Sequence, residues 1–502
     1  MKRSRRFGVL AAIALASATS TAFAAPAAPA APAVAAARAG ESSLDVARFG
    51  TVHLYQEAAH PSRVALFVSG DGGWNKGVVD MARTMASRGA LVVGIDIRTY
   101  EKSLAAEKGA CAYPAADFES LSQAVQKKLA MPSYELPVLV GYSSGATLVY
   151  AILAEAPANT FRGAVALGFC PDLDLPKVLC KGNGLTWEMP PAKKRPVKTT
   201  YIFTPAAHPE GKFVALQGTS DKVCNPPATE RWVHQLPGAE VLMLPEVGHG
   251  FSRPAKWQSA FDRALDDVFG QRVVASASAT KPATRDGVED LPLVELPAAH
   301  DRRPELAVLL SGDGGWAGID RDVGGALAAA GVPVVGWNSL QYYWHARTPE
   351  TAAADLARIL RHYMTAWHED RAVLVGYSFG ADVLPFLVTR LPADLRDKVA
   401  LVTLLGPSRE ATFEFHVAEW LHAGEGDGKP TLPEVSRLAG TPLLCVYGEK
   451  ESDSLCRDLP AGLAQLLPTA GAHHFGGDYK KLAAAVLDAV ASAPGAGVRA
   501  TG

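Results

Sequence analysis

Two serines in this chain occupy the same five-residue frame. Gly141-Tyr142-Ser143-Ser144-Gly145 and Gly376-Tyr377-Ser378-Phe379-Gly380 each follow a short apolar run and each open an apolar helical stretch. G-x-S-x-G between a strand and a helix is a nucleophile elbow: the flanking glycines let strand and helix pass closely, and the serine oxygen is pushed to the helix N-terminus. Backbone N–H groups there, including those of Ser144 and Phe379, can meet a developing oxyanion. Serine is a poor nucleophile without a base, and the base needs an orienting acid. Asp221 and His249 follow Ser143, while Asp453 and His473 follow Ser378. His474 competes with His473 for the role of base. Aligning His249-x-Phe251 with His473-x-Phe475 selects His473.

These residues belong to a long internal repeat. Ser69-Gly70-Asp71-Gly72-Gly73-Trp74 recurs as Ser311-Gly312-Asp313-Gly314-Gly315-Trp316, and Asp221-Lys222-Val223-Cys224 is matched to Asp453-Ser454-Leu455-Cys456. The offset between copies falls from 242 at the first block to 235 at the serines, 232 at the aspartates and 224 at the histidines. Blocks conserved in order over such a period mean a duplicated domain, not a solenoid. SGDGGW ends an early apolar strand in each copy, where a second oxyanion-hole N–H is needed, so Gly70-Asp71 and Gly312-Asp313 are the candidates. The block lacks G-x-x-x-x-G-K-[ST] and G-x-G-x-x-G, so nucleotide binding is not expected. Trp74 and Trp316 read as packing beneath the loop.

To position this machinery the chain must build parallel sheets. Val64–Val68, Leu91–Ile95, Pro137–Val140 and Phe213–Leu216 read as strands of the first copy. Leu306–Leu310, Pro333–Val335, Ala372–Val375, Leu401–Leu405 and Leu443–Val446 read as strands of the second. Continuous apolar strands alternating with helical stretches mean a sheet covered on both faces, with ligands at the carboxyl ends of its strands. With the chain order Ser, Asp, His, the expected fold class is α/β: two tandem α/β-hydrolase domains, each a mostly parallel sheet with helices on both faces. Residues 41–270 form the first domain and 289–495 the second, joined by a polar, small-residue linker over 271–288.

Composition narrows the remaining classes. The 502 residues are 48% hydrophobic and 20% charged, which suits large buried cores. With 49 basic against 51 acidic residues, no nucleic-acid face is expected. Residues 1–24 read as an export signal: a basic start, an Ala-rich apolar stretch and Ala22-Phe23-Ala24 before the cleavage point. Residues 25–40, mostly Ala and Pro, read as a tether, so a periplasmic location is expected. In such an oxidising compartment six cysteines suggest disulfides. The preferred pairs are Cys445–Cys456, Cys170–Cys180 and Cys111–Cys224 out of 15 connectivities. No C-x-x-C or Cys/His cluster suggests a metal, and no cofactor is expected. Trp337, Tyr342, Tyr343 and Trp344 read as core ahead of a lipid contact. Asp382, one helical turn past Ser378, suits either a structural role there or reception of a cationic group.

SGDGGW, Gly376-Tyr377-Ser378-Phe379-Gly380-Ala381-Asp382, the Tyr447–Cys456 block and His473–Tyr479 together resemble the VirJ/AcvB family of bacterial virulence proteins. The resemblance is closest over the second copy, and the two-domain exported layout is similar to that of AcvB. It implies a periplasmic hydrolase that cleaves aminoacyl-phosphatidylglycerol, with Ser378 as nucleophile, His473 as base and Asp453 as orienter. It also implies partners: an aminoacylated phospholipid at the membrane surface and proteins of a type IV secretion system. Asn338 stands where the family tends to carry Asp, which leaves a carboxylate role there unsupported. The other reading is a binding or chaperone factor on a hydrolase scaffold, since fold alone does not establish activity. Two retained sets of serine, acid and histidine argue for the enzyme.

Overall fold

The computed structural model describes residues 40–190, 198–207, 209, 211–270, 287–298, 302–416 and 428–493. The export signal, all of the tether but Gly40, and residues 271–286 of the linker lie outside the described residues. Two large sheets organise the rest.

The first is built from β1 (Glu41–Val46), β2 (Gly50–Tyr55), β3 (Val64–Val68), β4 (Leu91–Ile95), β5 (Val138–Tyr142) and β6 (Gly163–Leu167). After a small antiparallel sheet of β7 (Asp172–Leu175), β8 (Trp187–Glu188) and β9 (Thr199–Phe203), it is completed by β10 (Lys212–Gly218) and β11 (Glu240–Leu244). Its order is β1-β2-β4-β3-β5-β6-β10-β11, parallel from β4 onward with β1 and β2 antiparallel at one edge.

The second sheet repeats that plan with β12 (Leu293–Leu296), β13 (Glu305–Leu310), β14 (Val334–Trp337), β15 (Arg371–Tyr377) and β16 (Val399–Leu405). A two-stranded ribbon of β17 (Glu410–Ala411) and β18 (Lys429–Pro430) precedes β19 (Leu443–Gly448) and β20 (Gln465–Thr469). The order is β12-β14-β13-β15-β16-β19-β20, with only β12 antiparallel.

The continuous apolar strands are explained by burial on both faces. Along β3, Val64, Leu66 and Val68 enter one core while Ala65 and Phe67 enter the other. Along β13, Leu306, Val308 and Leu310 divide likewise from Ala307 and Leu309. All are buried, as expected when helices cover both sides of a parallel sheet. The sequence reading had no strand at β6. Its Gly-Ala-Val-Ala-Leu is short and made mostly of residues with low strand propensity, yet its central place makes it a fully buried parallel strand.

Each SGDGGW tryptophan packs under its own loop against a strand glycine. A Cβ on Gly94 would lie 2.1 Å from the Trp74 ring, and one on Gly336 would lie 2.4 Å from that of Trp316. Trp337, Tyr342, Tyr343 and Trp344 are all buried in the core.

Two of the three expected disulfides are re-paired. Cys445–Cys456 is present, but Cys170 bonds Cys224 and Cys111 bonds Cys180, not the expected Cys170–Cys180 and Cys111–Cys224. The cause is topological. Cys170 and Cys224 follow β6 and β10, which are adjacent parallel strands, so the loops at their carboxyl ends meet. Cys180 is carried away by β7 and pairs beside Cys111, where the Ala112 N–H donates to the Val178 carbonyl at 2.9 Å and the Cys180 N–H to the Ala112 carbonyl at 2.7 Å.

The two halves touch through the end of helix Pro114–Lys128 and the loop after it. Lys127 ion-pairs with Glu414 at 2.9 Å and lies over the Trp344 ring. The Trp344 indole donates to the Met131 carbonyl at 2.7 Å, and the Trp344 ring lies against Tyr134 and Phe415. Asn159 donates to the Trp316 carbonyl at 3.1 Å.

The strand–helix crossing at each elbow leaves no room for a side chain. A Cβ on Gly376 would lie 2.4 Å from the Gly380 carbonyl oxygen, a backbone atom that cannot swing away. We expect Gly376→Ala to lower stability by about 3 kcal/mol or more in thermal unfolding. Gly325→Ala, in an exposed helical position with open space around it, should be neutral or raise stability by about 0.5–1 kcal/mol.

Candidate functional site

Ser143 and Ser378 both sit at the last step from strand to helix with positive φ, at φ/ψ of 56/−123° and 51/−117°. Such backbone is strained for an L-residue, by about 1–3 kcal/mol, and persists only where surrounding packing fixes it. The glycines provide that packing. A Cβ on Gly141 would lie 2.2 Å from the Gly145 carbonyl oxygen, and a Cβ on Gly380 would lie 2.3 Å from that of Leu310. Each serine N–H is taken by the neighbouring strand: Ser143 donates to the Leu167 carbonyl at 2.9 Å and Ser378 to that of Leu405 at 2.8 Å. The N–H groups of Ser144 and Phe379, the first helical residues, have no partner within the helix ahead of them.

In the first half the three expected residues meet. His249 Nε2 lies 2.9 Å from Ser143 Oγ, and His249 Nδ1 lies 2.8 Å from Asp221 Oδ2. Asp221 is buried, and its Oδ1 accepts from the Val223 and Cys224 N–H groups at 2.8 and 3.0 Å, while the Gln217 amide donates to Oδ2 at 3.1 Å. Saturated this way, the carboxylate is held aimed at the imidazole. Gly168, at φ 63°, lets the ring in: a Cβ there would stand 3.2 Å from the imidazole.

The second half forms the same relay with a different acid. His473 Nε2 lies 2.8 Å from Ser378 Oγ, and its Nδ1 is hydrogen-bonded to Glu451 Oε1. Glu451 is buried, and its other oxygen accepts the Gly448 N–H at 2.6 Å. Asp453, expected in this role, is exposed, and Glu451 takes its place. Alignment of the two copies on Cys224 and Cys456 points to Asp453, whereas alignment on the strand ends points to Glu451. Counted from the glycine that ends the preceding strand, the acid is the third residue in both copies, Gly218-x-x-Asp221 and Gly448-x-x-Glu451. The loop from acid to cysteine is two residues longer in the second copy. Both glycines are fixed by close contact, with a Cβ on Gly218 or Gly448 falling 2.2 Å from the Val247 or 2.4 Å from the Ala472 carbonyl oxygen. That shared register selects Glu451 over Asp453 only once the strand is known to end at Gly448, which the tertiary structure supplies. His474 lies 3.4 Å from the Tyr377 hydroxyl and away from Ser378; burial lowers its pKa, with His473 as the second cause.

The SGDGGW loops reach both serines. A Cβ on Gly70 would lie 2.9 Å from the Ser143 Cβ, and one on Gly312 would lie 3.6 Å from that of Ser378. In the second half Asp320 is buried close to the backbone of Gly312 and Ala317, and its Oδ1 has no hydrogen-bond partner among the described residues. The Gly312 and Asp313 N–H groups remain that loop's candidate oxyanion donors. Asp71 and Asp313 are exposed at the tips. Asn338 accepts the Gln341 N–H at 3.1 Å as a helix cap, and Asp96 caps the corresponding helix in the first half through Arg98, so the position works without a carboxylate.

Asp221, Cys224 and His249 bring three potential ligand atoms within 4.8 Å of one another, but the Cys224 sulfur is bonded to Cys170 and offers no thiolate. Asp382 is buried, and its Oδ1 accepts the Ser408 N–H at 2.5 Å, which ties the loop after β16 to the elbow helix. Burial pushes it up to about 8 against the pull of Ser408, with Asp313 adding to the rise. This is the structural role of the two open readings.

Two outcomes test this geometry. With Ser143 replaced by Ala so that only the second site is read, Glu451→Gln should slow labelling of Ser378 by a fluorophosphonate roughly a hundredfold or more, because the base loses its orienting charge. Asp453→Asn should leave labelling unchanged. Asp382 provides the second. Its folded pKa lies above the unfolded one, so between about pH 4 and 8 the unfolded chain has released a proton that the folded chain retains, and stability falls as pH rises through that window. Asp382→Asn removes this contribution. The melting temperature of the variant should gain on wild type steadily from pH 4 to pH 8.

The family model described as bacterial virulence protein (VirJ) matches residues 62–168 and 304–493, more than half of the chain. No curated protein matched. Among solved structures, dienelactone hydrolase from Anabaena variabilis is 16% identical, over 45% of this chain and 96% of its own, with a TM-score of 0.30. A lidless α/β serine hydrolase from Xanthomonas campestris is 19% identical over 45% of this chain and 92% of its own, with a TM-score of 0.29.

Proposed function

The chain belongs to the VirJ family of bacterial virulence proteins, and on that footing we propose that it is a serine hydrolase cleaving the aminoacyl ester of lysyl- or alanyl-phosphatidylglycerol in the periplasm. The observation that carries the hydrolase reading is the assembled relay Ser378–His473–Glu451, with a hydroxyl 2.8 Å from its base. The matching relay in the first half supports it.

In this reading Ser378 Oγ attacks the ester carbonyl while His473 Nε2 takes its proton. Glu451 holds the imidazole in the tautomer that can accept it and stabilises the imidazolium. The oxyanion forms between the N–H of Phe379 and an N–H of the Gly312-Asp313 pair. His473 returns the proton to the departing glycerol oxygen, so phosphatidylglycerol leaves as the alcohol. Water activated by the same histidine then frees the amino acid from the acyl-serine. Removing cationic aminoacyl groups would restore the anionic surface charge of the membrane. Among the described residues no helix is long and apolar enough to cross a bilayer.

The test incubates the purified protein with labelled lysyl- and alanyl-phosphatidylglycerol. We expect free amino acid from wild type, and loss of release by at least a hundredfold in Ser378→Ala. The double variant with Ser143→Ala reads any share carried by the first site. Absence of release together with no fluorophosphonate labelling at either serine would turn the reading to a non-catalytic binding factor for secretion proteins.

A further inference from the structure

The second active site carries a charged group from the first half. Glu119 lies on helix Pro114–Lys128, the element whose end makes the contact between halves, and its carboxylate reaches the SGDGGW loop of the other half. A Cβ built on Gly314 would stand 3.7 Å from Glu119 Oε1. Gly314 is two residues beyond Gly312, whose Cβ position lies 3.6 Å from that of Ser378. Two residues span at most about 7 Å, so the carboxylate stands at the rim of this site.

The placement is held by the contacts on either side. Lys127 and Met131 pin the end of the helix and the loop after it to Glu414 and Trp344, and Asn159 holds the carbonyl of Trp316 at the end of the SGDGGW block. Glu119 itself is partly buried, and no hydrogen-bond donor or cation engages it among the described residues. Of the other acids near Ser378, Glu451 is engaged by His473 and Asp382 by the Ser408 N–H, Asp320 is buried, and Asp313 stands exposed at the tip of the same loop. A partly buried carboxylate without a counter-charge is costly unless something else supplies one. Burial pushes Glu119 up to about 8, with the Asp313 carboxylate as second cause, so an incoming cation would both pair with it and draw its proton off.

We propose that Glu119, contributed by the first half, is a substrate-binding residue of the second active site that receives the ammonium at the end of a long aminoalkyl acyl group, such as the side chain of a lysyl ester. This rests on the reading of the Ser378 site as an aminoacyl esterase and adds the residue that selects the acyl group. The carboxylate stands along the loop from the oxyanion position, not at it. It therefore suits a terminal ammonium far from the ester carbonyl better than an α-ammonium beside it. On this view the first half is part of the second half's binding site, whatever its own serine does.

The experiment compares two soluble esters that differ only in the terminal charge, p-nitrophenyl 6-aminohexanoate and p-nitrophenyl hexanoate, in a Ser143→Ala background. The parent should show the lower KM for the amino ester. Glu119→Gln should raise that KM by about tenfold while leaving kcat, the KM for the neutral ester and the melting temperature unchanged, and Glu119→Asp should restore part of the loss. Equal changes for both esters, or no change in either, would overturn the assignment, because a purely structural role cannot tell them apart. Charge selectivity on the soluble esters without release from aminoacyl lipid would sink the lipid reading and leave Glu119 in place. Lipid cleavage insensitive to Glu119→Gln would do the reverse. No turnover of either ester at Ser378 would end both.

Discussion

The structure depends on a close crossing: in each half one strand and one helix pass so near each other at the elbow that only hydrogen fits between them. Gly141 faces Gly145, and Gly376 faces Gly380, at distances a single methyl group would violate. The serine caught between them takes a positive φ, and its amide is spent on the next strand. The serine oxygen is left above the sheet at the start of a helix, with the next N–H free to stabilise negative charge. The strain is local and is offset by the two-sided packing of the parallel sheet around it.

The rest of each site follows from strand adjacency. The acid comes from the loop after β10 or β19 and the histidine from the loop after β11 or β20, and these strands are neighbours at the same edge of their sheets. Three side chains far apart in sequence therefore converge at one carboxyl-end rim. The acid differs between halves without changing the geometry, because the glycine three residues earlier fixes where the loop leaves the sheet, and the longer Glu451 side chain still reaches the imidazole. In both halves a disulfide holds the acid loop. Cys224, whose N–H also bonds Asp221, is joined to the loop after β6, and Cys445–Cys456 brackets Glu451.

Duplication has left two relays but not two independent bodies. The halves share an interface in which Lys127, Met131 and Tyr134 of one meet Trp344, Phe415 and Glu414 of the other. Trp344 is adjacent to Tyr343, whose ring packs against Phe379, the residue after the second nucleophile. The contact between halves thus lies one residue along the chain and one ring contact from the second oxyanion position. The first site has no equivalent of the buried Asp320, since the matching residue there is Val78, so the surroundings of the two SGDGGW loops differ in polarity.

The amino-acid sequence alone was enough for nine of the strands in the two large sheets and for the two serines and two histidines. Apolar continuity reports two-sided burial, and G-x-S-x-G reports a turn that few other residues could make. It was also enough to mark the SGDGGW loops, because they end strands that the same pattern identifies. The acid of the second site, the Cys111–Cys180 and Cys170–Cys224 pairings and the strand Gly163–Leu167 were decided only by the tertiary structure. Each depends on which strands lie side by side: a loop two residues longer separated the acid from its cysteine, a neighbouring strand chose the cysteine partner, and a central position in the sheet made a strand of a short Gly- and Ala-rich run. Sequence spacing carries no record of that adjacency, and the carboxylate that one half extends to the rim of the other is legible only once the two halves have met.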